Sequence, residues 1–258
     1  MRAISRSALV RRHLQKMSDD SLNANLSDPL LVYATRVDAV APDLLRICKL
    51  DFRQVDESVA QRGFRSFREA AEKGSAFAMC MCSRFCRTGW GVPQSNVEAF
   101  RWAEKAGVAG YAPGHYEVGK CYEEGIGVLA NLDRARQCYE EAAEGGFGFA
   151  AYHLAEMYSS GKFGDANVVK AIERAKWADH LNEPMASLLL AKWYEEGIGV
   201  GKDLNEAVSW YFRAADLGNF FASFRLSMAY QLGELGLPKD QDKAKKYQDL
   251  CSIQTLRT

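Results

Sequence analysis

The amino-acid sequence predicts an all-α protein, a solenoid of helix-turn-helix units with a 36-residue period, and three series of residues carry the prediction. Gly89, Gly125, Gly161, Gly197 and Gly233 are evenly spaced, and so are Ala99, Ala135, Ala171 and Ala207, and Ala106, Ala142, Ala178 and Ala214. Tyr122, Tyr158, Tyr194 and Tyr230 fall on the same lattice, with Cys86 in their place in the first full copy. Between these marks apolar residues recur at the three- and four-residue spacing that lines one face of a helix. A fixed period of this size is what stacked helical hairpins leave in a sequence, because each hairpin needs its neighbours to bury its apolar faces.

The copy from Glu183 to Gly218 shows how each element is specified. Ala186, Leu190 and Tyr194 share one face of a first helix, and Ala191 beside them lets a second helix come close. Gly197 follows Glu196 where a helix is expected to end in the left-handed conformation, which glycine adopts without a Cβ clash. Asp203 then caps a second helix, with Glu206 three residues on, before Ala207, Trp210, Tyr211 and Ala214 resume the helical spacing. Gly218 closes the unit.

In chain order, residues 1–41 read as a basic segment followed by a short capping helix opened by Asp28-Pro29. Arg2, Arg6, Arg11, Arg12 and Lys16 precede the first acid, Asp19, so two readings stand: a solvated terminal helix, or a mitochondrial-type presequence or docking helix. The solenoid is expected over 42–254, with a degenerate copy at 42–74 and copies at 75–110, 111–146, 147–182, 183–218 and 219–250, and a tail at 251–258. In the degenerate copy, 42–52 reads as a first helix and 56–74, with Phe67, Ala70 and Ala71, as a second. Closing positions are Gly74, Gly110, Gly146, Asn182 and Gly218.

Composition narrows the function classes. Of 258 residues, 48% are hydrophobic and 26% charged, enough to build a sizeable core. Lys and Arg total 33 and Asp and Glu total 33, so no global field favours nucleic acid or an anionic membrane. No apolar run approaches the roughly 18 residues of a membrane helix. Seven cysteines at irregular spacing read as reduced thiols of a cytoplasmic protein, not a disulfide framework.

Each unit carries a small residue, an aromatic three positions on, G-x-G-V, a capping residue, an alanine and a closing A-A-x-x-G. This pattern resembles the SEL-one-like repeat, a relative of the tetratricopeptide repeat. AKWYEEGIGVGKDLNEAVSWYFRAADLG at 191–218 and GKCYEEGIGVLANLDRARQCYEEAAEGG at 119–146 match closely, and the resemblance covers about residues 56–250. Two copies depart from it: 159–171 lacks the second glycine and the valine of the loop, and 232–244 carries one extra residue before Asp240. The resemblance implies a right-handed superhelix whose concave face is lined by the first helices. It also implies binding of a protein or peptide partner, without chemistry, in bacterial signalling, envelope or secretion, as an adaptor or as the regulatory arm of an enzyme complex.

Three rows of first-helix residues are candidates for that face. Phe77, Pro113, Phe149, Met185 and Phe221 form one; Cys80, Tyr116, Tyr152, Leu188 and Phe224 the next; Arg84, Lys120, Glu156, Lys192 and Met228 the third. The first row reads mainly as packing between copies, and the second equally as packing or as contact. The third is the better candidate for contact, and the predicted groove is Arg84, Tyr116, Lys120, Tyr152, Glu156, Leu188, Lys192, Phe224 and Met228. No catalytic residue, metal or cofactor is assigned. Cys80, Cys82 and Cys86 form a cluster that His115 or Cys121 of the next copy could join, but Cys82 and Cys86 stand at lattice positions held elsewhere by core residues and read as buried thiols. His115 and His153 have no acid or cysteine at catalytic spacing along the chain. The pairs Glu123-Glu124 and Glu195-Glu196 read as solvated helix ends.

Overall fold

A computed structural model describes residues 57–255. The basic segment, the Asp28-Pro29 helix and the first helix expected at 42–52 lie outside the described residues. The described residues form eleven helices and no strand. Helix α1 (Glu57–Glu72) is the second helix of the degenerate copy, with Phe67 and Ala71 buried. Five hairpins come after it: α2 (Ala76–Thr88) with α3 (Asn96–Val108), α4 (Ala112–Glu124) with α5 (Leu132–Glu144), and α6 (Gly148–Ser159) with α7 (Val168–His180). They continue with α8 (Pro184–Glu196) and α9 (Leu204–Asp216), then α10 (Phe220–Leu232) and α11 (Gln241–Thr255). The tail expected from 251 is helical through Thr255, and Cys251 is buried against the start of α10.

Small residues decide how closely each hairpin closes. Ser83, Gly119, Ala155, Ala191 and Ser227 stand at one position of the five first helices, and all are buried. Opposite them are Ala99, Ala135, Ala171, Ala207 and Ala244, equally buried. The two serines show the approach directly, since the Ser83 hydroxyl donates to the Ala99 carbonyl at 2.8 Å and the Ser227 hydroxyl to the Ala244 carbonyl at 2.9 Å. Each second helix then packs on the next first helix. The first helices α2 and α4, and α6 and α8, also touch across unit boundaries more extensively than consecutive second helices do, which puts the first helices on the inside of the curve.

The turns are fixed by hydrogen bonds that recur with the period. Ser95, Asn131, Asn167 and Asp203 cap the second helices by accepting from backbone N–H groups of the first turn. Each cap residue's own N–H donates back to the carbonyl of Cys86, Tyr122, Tyr158 or Tyr194, tying the end of one helix to the start of the next. The extra residue in the last copy is absorbed in the loop: Asp240, one place beyond the lattice, accepts from Lys243 and donates to Tyr230.

Gly197 ends α8 with φ 77°, as its sequence position predicts. The second loop glycine has a different role, because it lets the loop lie on the preceding unit. A Cβ on Gly127 would stand 2.2 Å from the Asn96 carbonyl oxygen. Where that glycine is missing, the fold adapts in two ways. Phe163 packs its ring on Tyr158, centroids 5.2 Å apart, beneath the Arg136 guanidinium, and Leu235 takes a left-handed backbone, φ 56°, with its side chain buried.

Gly127→Ala combines left-handed strain with a backbone clash and should lose at least ~2 kcal/mol in urea unfolding. Gly201→Ala, where a Cβ meets nothing within 4 Å, should stay within ~0.5 kcal/mol of the parent. Equal stabilities would remove the close-approach role of the second glycine.

Candidate partner-binding face

The structure separates the three candidate rows. In the first, Phe77 and Pro113 are buried, Phe149 and Met185 half-buried, and Phe221 is 62% exposed. In the second, Cys80, Tyr152 and Leu188 are buried, Tyr116 is half-buried, and Phe224 is 52% exposed. The cause is the next unit. The Tyr116 ring meets Phe147, Phe149 and His153 at centroid distances of 5.3, 5.6 and 5.9 Å. Tyr152 shares one apolar cluster with Met185, Ala186 and Leu189, and Leu188 shares another with Ala222. Tyr116, Tyr152 and Leu188, placed on an open groove by sequence, therefore pack largely between units.

The third row stays accessible. Glu156 and Lys192 are exposed, and Arg84, Lys120 and Met228 are half-buried. Arg84 Nε lies 3.3 Å from the buried Glu117 carboxylate, Lys120 Nζ 3.9 Å from Glu124, and Glu156 accepts from the Tyr152 hydroxyl at 2.6 Å. Lys192 stands outside the ion pairs of the described residues.

Beside this row is a feature that reading along the chain did not reveal. Glu123, expected in solvent, has a side chain only 8% exposed. It accepts from the Tyr139 hydroxyl on the other helix of its hairpin at 2.5 Å, and meets His153 Nε2 of the next unit at 3.0 Å and the Lys162 ammonium. Burial alone would push this carboxyl up, but the hydrogen bonds from Lys162, Tyr139 and His153 more than offset it and hold it down at about 2. Glu195 repeats the arrangement two units on, with Tyr211 at 2.5 Å and Arg225 at 2.6 Å, and Arg225 also holds Glu234. Its carboxyl is again lowered, burial opposing and the Arg225 and Tyr211 bonds prevailing. Of the two acidic pairs, only Glu124 and Glu196 are exposed as expected. His115 also finds an acid, on the other helix of its own hairpin, its Nδ1 2.9 Å from Glu141. The signal that would have found the two clasps is their common spacing, since Glu195, Tyr211 and Arg225 each stand two periods beyond Glu123, Tyr139 and His153.

Three buried cysteines of the described residues carry no reactive signature. Burial pushes Cys82 and Cys121 up to about 12 and raises Cys86 as well, so these thiols are neutral and pack as small apolar groups. Among the described residues, no three His, Cys, Asp or Glu side chains converge to hold a metal ion, and no helix is long and apolar enough to cross a membrane.

Stacked helical hairpins with the first helices turned inward define an α/α repeat solenoid, a class whose inner helices present an extended surface. The chain belongs to the Sel1 repeat family, whose pattern matches residues 76–111, 112–147, 148–173, 184–219 and 221–247. Chitin synthase regulatory factor 3 of Schizosaccharomyces pombe is 32% identical over 169 residues, 64% of this chain and 18% of that protein. The exopolysaccharide production negative regulator of Rhizobium meliloti is 29% identical over 143 residues, 50% of this chain and 52% of that one. The chain thus spans about a fifth of one curated relative and about half of the other. A Sel1 repeat protein from Oxalobacter formigenes has the same fold, with a TM-score of 0.66 at 22% identity, covering 94% of this chain and 98% of that one.

The Glu123 clasp predicts a pH signature. A carboxyl depressed on folding contributes stability that is present above its unfolded value of 4.5 and lost as pH falls toward about 2. Urea unfolding at pH 6 and pH 3 should show about 2 kcal/mol of pH-dependent loss in the parent that Glu123→Gln lacks. The same pH slope in both proteins would contradict the clasp.

Proposed function

We propose that this protein is a non-catalytic adaptor that holds a partner protein or peptide on its inner, first-helix face. The observation that carries the reading is the third row: Lys192 is exposed on α8 and free of the ion pairs that occupy its neighbours, with Lys120 two units before it. A cation already presented on a rigid helix costs little ordering when it meets a carboxylate of a ligand. Family membership supports binding over chemistry, and the buried, neutral thiols supply no nucleophile. Cytoplasmic location is part of the same proposal, supported by cysteine usage.

A second reading makes the partner an enzyme and the solenoid its regulatory arm. What favours it is that the yeast relative is named a regulatory factor of chitin synthase and the rhizobial one a negative regulator of exopolysaccharide production. Both readings share the inner face and differ in what is captured.

The test is affinity capture from the native organism with the parent and the Lys120→Glu/Lys192→Glu variant as baits, quantified by mass spectrometry. The parent should enrich one or a few proteins, and the variant should retain them at least ~10-fold less well while melting at the parent temperature. Unchanged capture by a folded variant would remove these lysines from the site, and enrichment of a polysaccharide-synthesising enzyme would select the second reading.

A further inference from the structure

The first two rows contain a regularity that ends at α10. At the three preceding units the row-two side chain is covered by the first helix of the following unit: Tyr116 by α6, Tyr152 by α8, Leu188 by α10. Among the described residues no first helix follows α11, and Phe221 and Phe224 are left 62% and 52% exposed. They are ordered on one platform, since Phe220 stacks on Phe224 with centroids 6.3 Å apart and planes 14° apart, and meets Phe221 edge-on at 5.6 Å. An exposed aromatic cluster on a rigid helix has the make-up of a binding anchor.

The chemistry of the occupant is set by the boundaries already formed. Where α4 meets α6 and α8 meets α10, the incoming helix brings a polar partner, His153 or Arg225, to a waiting Glu123 or Glu195. The corresponding waiting position on α10 is Gln231, and Met228 stands where Arg84 holds Glu117. Arg225 is already committed to Glu195 and Glu234. The α10 face therefore offers an arriving helix no free charge. It matches the boundary between α6 and α8, where Ser159 and Leu189 replace the clasp and α8 covers Tyr152 with Met185, Ala186 and Leu189.

We propose that the Phe221/Phe224 face docks a helix of a partner protein, seated where another unit's first helix would lie and presenting a neutral apolar stripe like that of Met185, Ala186 and Leu189. Docking there uses neither Lys120 nor Lys192, so it is tested independently of the proposed adaptor function.

The probe is a fluorescein-labelled synthetic peptide of residues 183–197, EPMASLLLAKWYEEG, titrated into the full chain by fluorescence anisotropy, with sedimentation velocity run in parallel. Binding should be saturable and weaken at least ~10-fold in Phe221→Ser/Phe224→Ser, while Lys120→Glu/Lys192→Glu binds as the parent does. Both phenylalanines are exposed, so the double substitution should leave the thermal melt unchanged; if it does not, Phe224→Gln alone, read in the same titration, decides. Absent binding, or binding that ignores the substitutions, would overturn the proposal. So would a parent dimer that the substitutions dissolve, because the face would then belong to a second copy of this chain.

Discussion

The fold depends on one close approach, that of the small residue on each first helix to an alanine on its partner. Ser83 and Ala99, Gly119 and Ala135, Ala155 and Ala171, Ala191 and Ala207, and Ser227 and Ala244 each bring two helical backbones nearer than larger side chains would allow. That proximity lets the loop be short, which in turn lets the cap residue's N–H reach the carbonyl of the preceding helix in all five hairpins. It also turns the larger residues, such as Leu154, Leu190 and Leu226, toward neighbours where they are fully buried. A loop with one residue more, or one glycine fewer, is tolerated because the contact is made in the helices. The loop then closes as its own side chains permit, as Phe163 and Leu235 show.

Between units the constraint differs. Apolar packing is continuous, but charge is placed at selected boundaries: Arg84 with Glu117, His153 and Lys162 with Glu123, Arg225 with Glu195, and, on the second helices, Arg213 with Asp179. A half-buried pair left without its partner is costly, so these clasps favour one order of stacking. The arrangement also explains why the inner face is not uniformly charged. Several of its ionic groups are spent on neighbouring units, while Lys192 stands outside the ion pairs of the described residues.

The hairpins were legible in the sequence because their determinants are local and periodic. Glycine at helix ends, a capping residue nine positions after the lattice aromatic, and alanine at fixed intervals act within one unit, so a comparison of copies finds them. Asn182 could be placed at a closing position on the same ground, and it adopts φ 59° there. The inner face was legible only in part. Helical spacing says which residues share a stripe, but the next unit's first helix decides whether a residue on it is covered, which is why Tyr152 and Leu188 are buried while Phe224, on the same row with no such helix after it among the described residues, is open. The partners of Glu123 and His153 were hidden for a related reason: they lie 30 residues apart, across a boundary that spacing within one helix does not address.

The family, the fold and the distribution of charge fit a protein that works by presenting a surface whose stiffness comes from the hairpin contact. That contact is tested most directly by urea unfolding of Ala191→Leu beside Lys192→Ala, two adjacent residues of α8, one fully buried against α9 and one in solvent. Overpacking should cost Ala191→Leu roughly 1–3 kcal/mol, and Lys192→Ala should stay within ~0.5 kcal/mol of the parent. An Ala191→Leu protein as stable as the parent would mean that the helices have room to spare and that the small-residue contact does not set the fold.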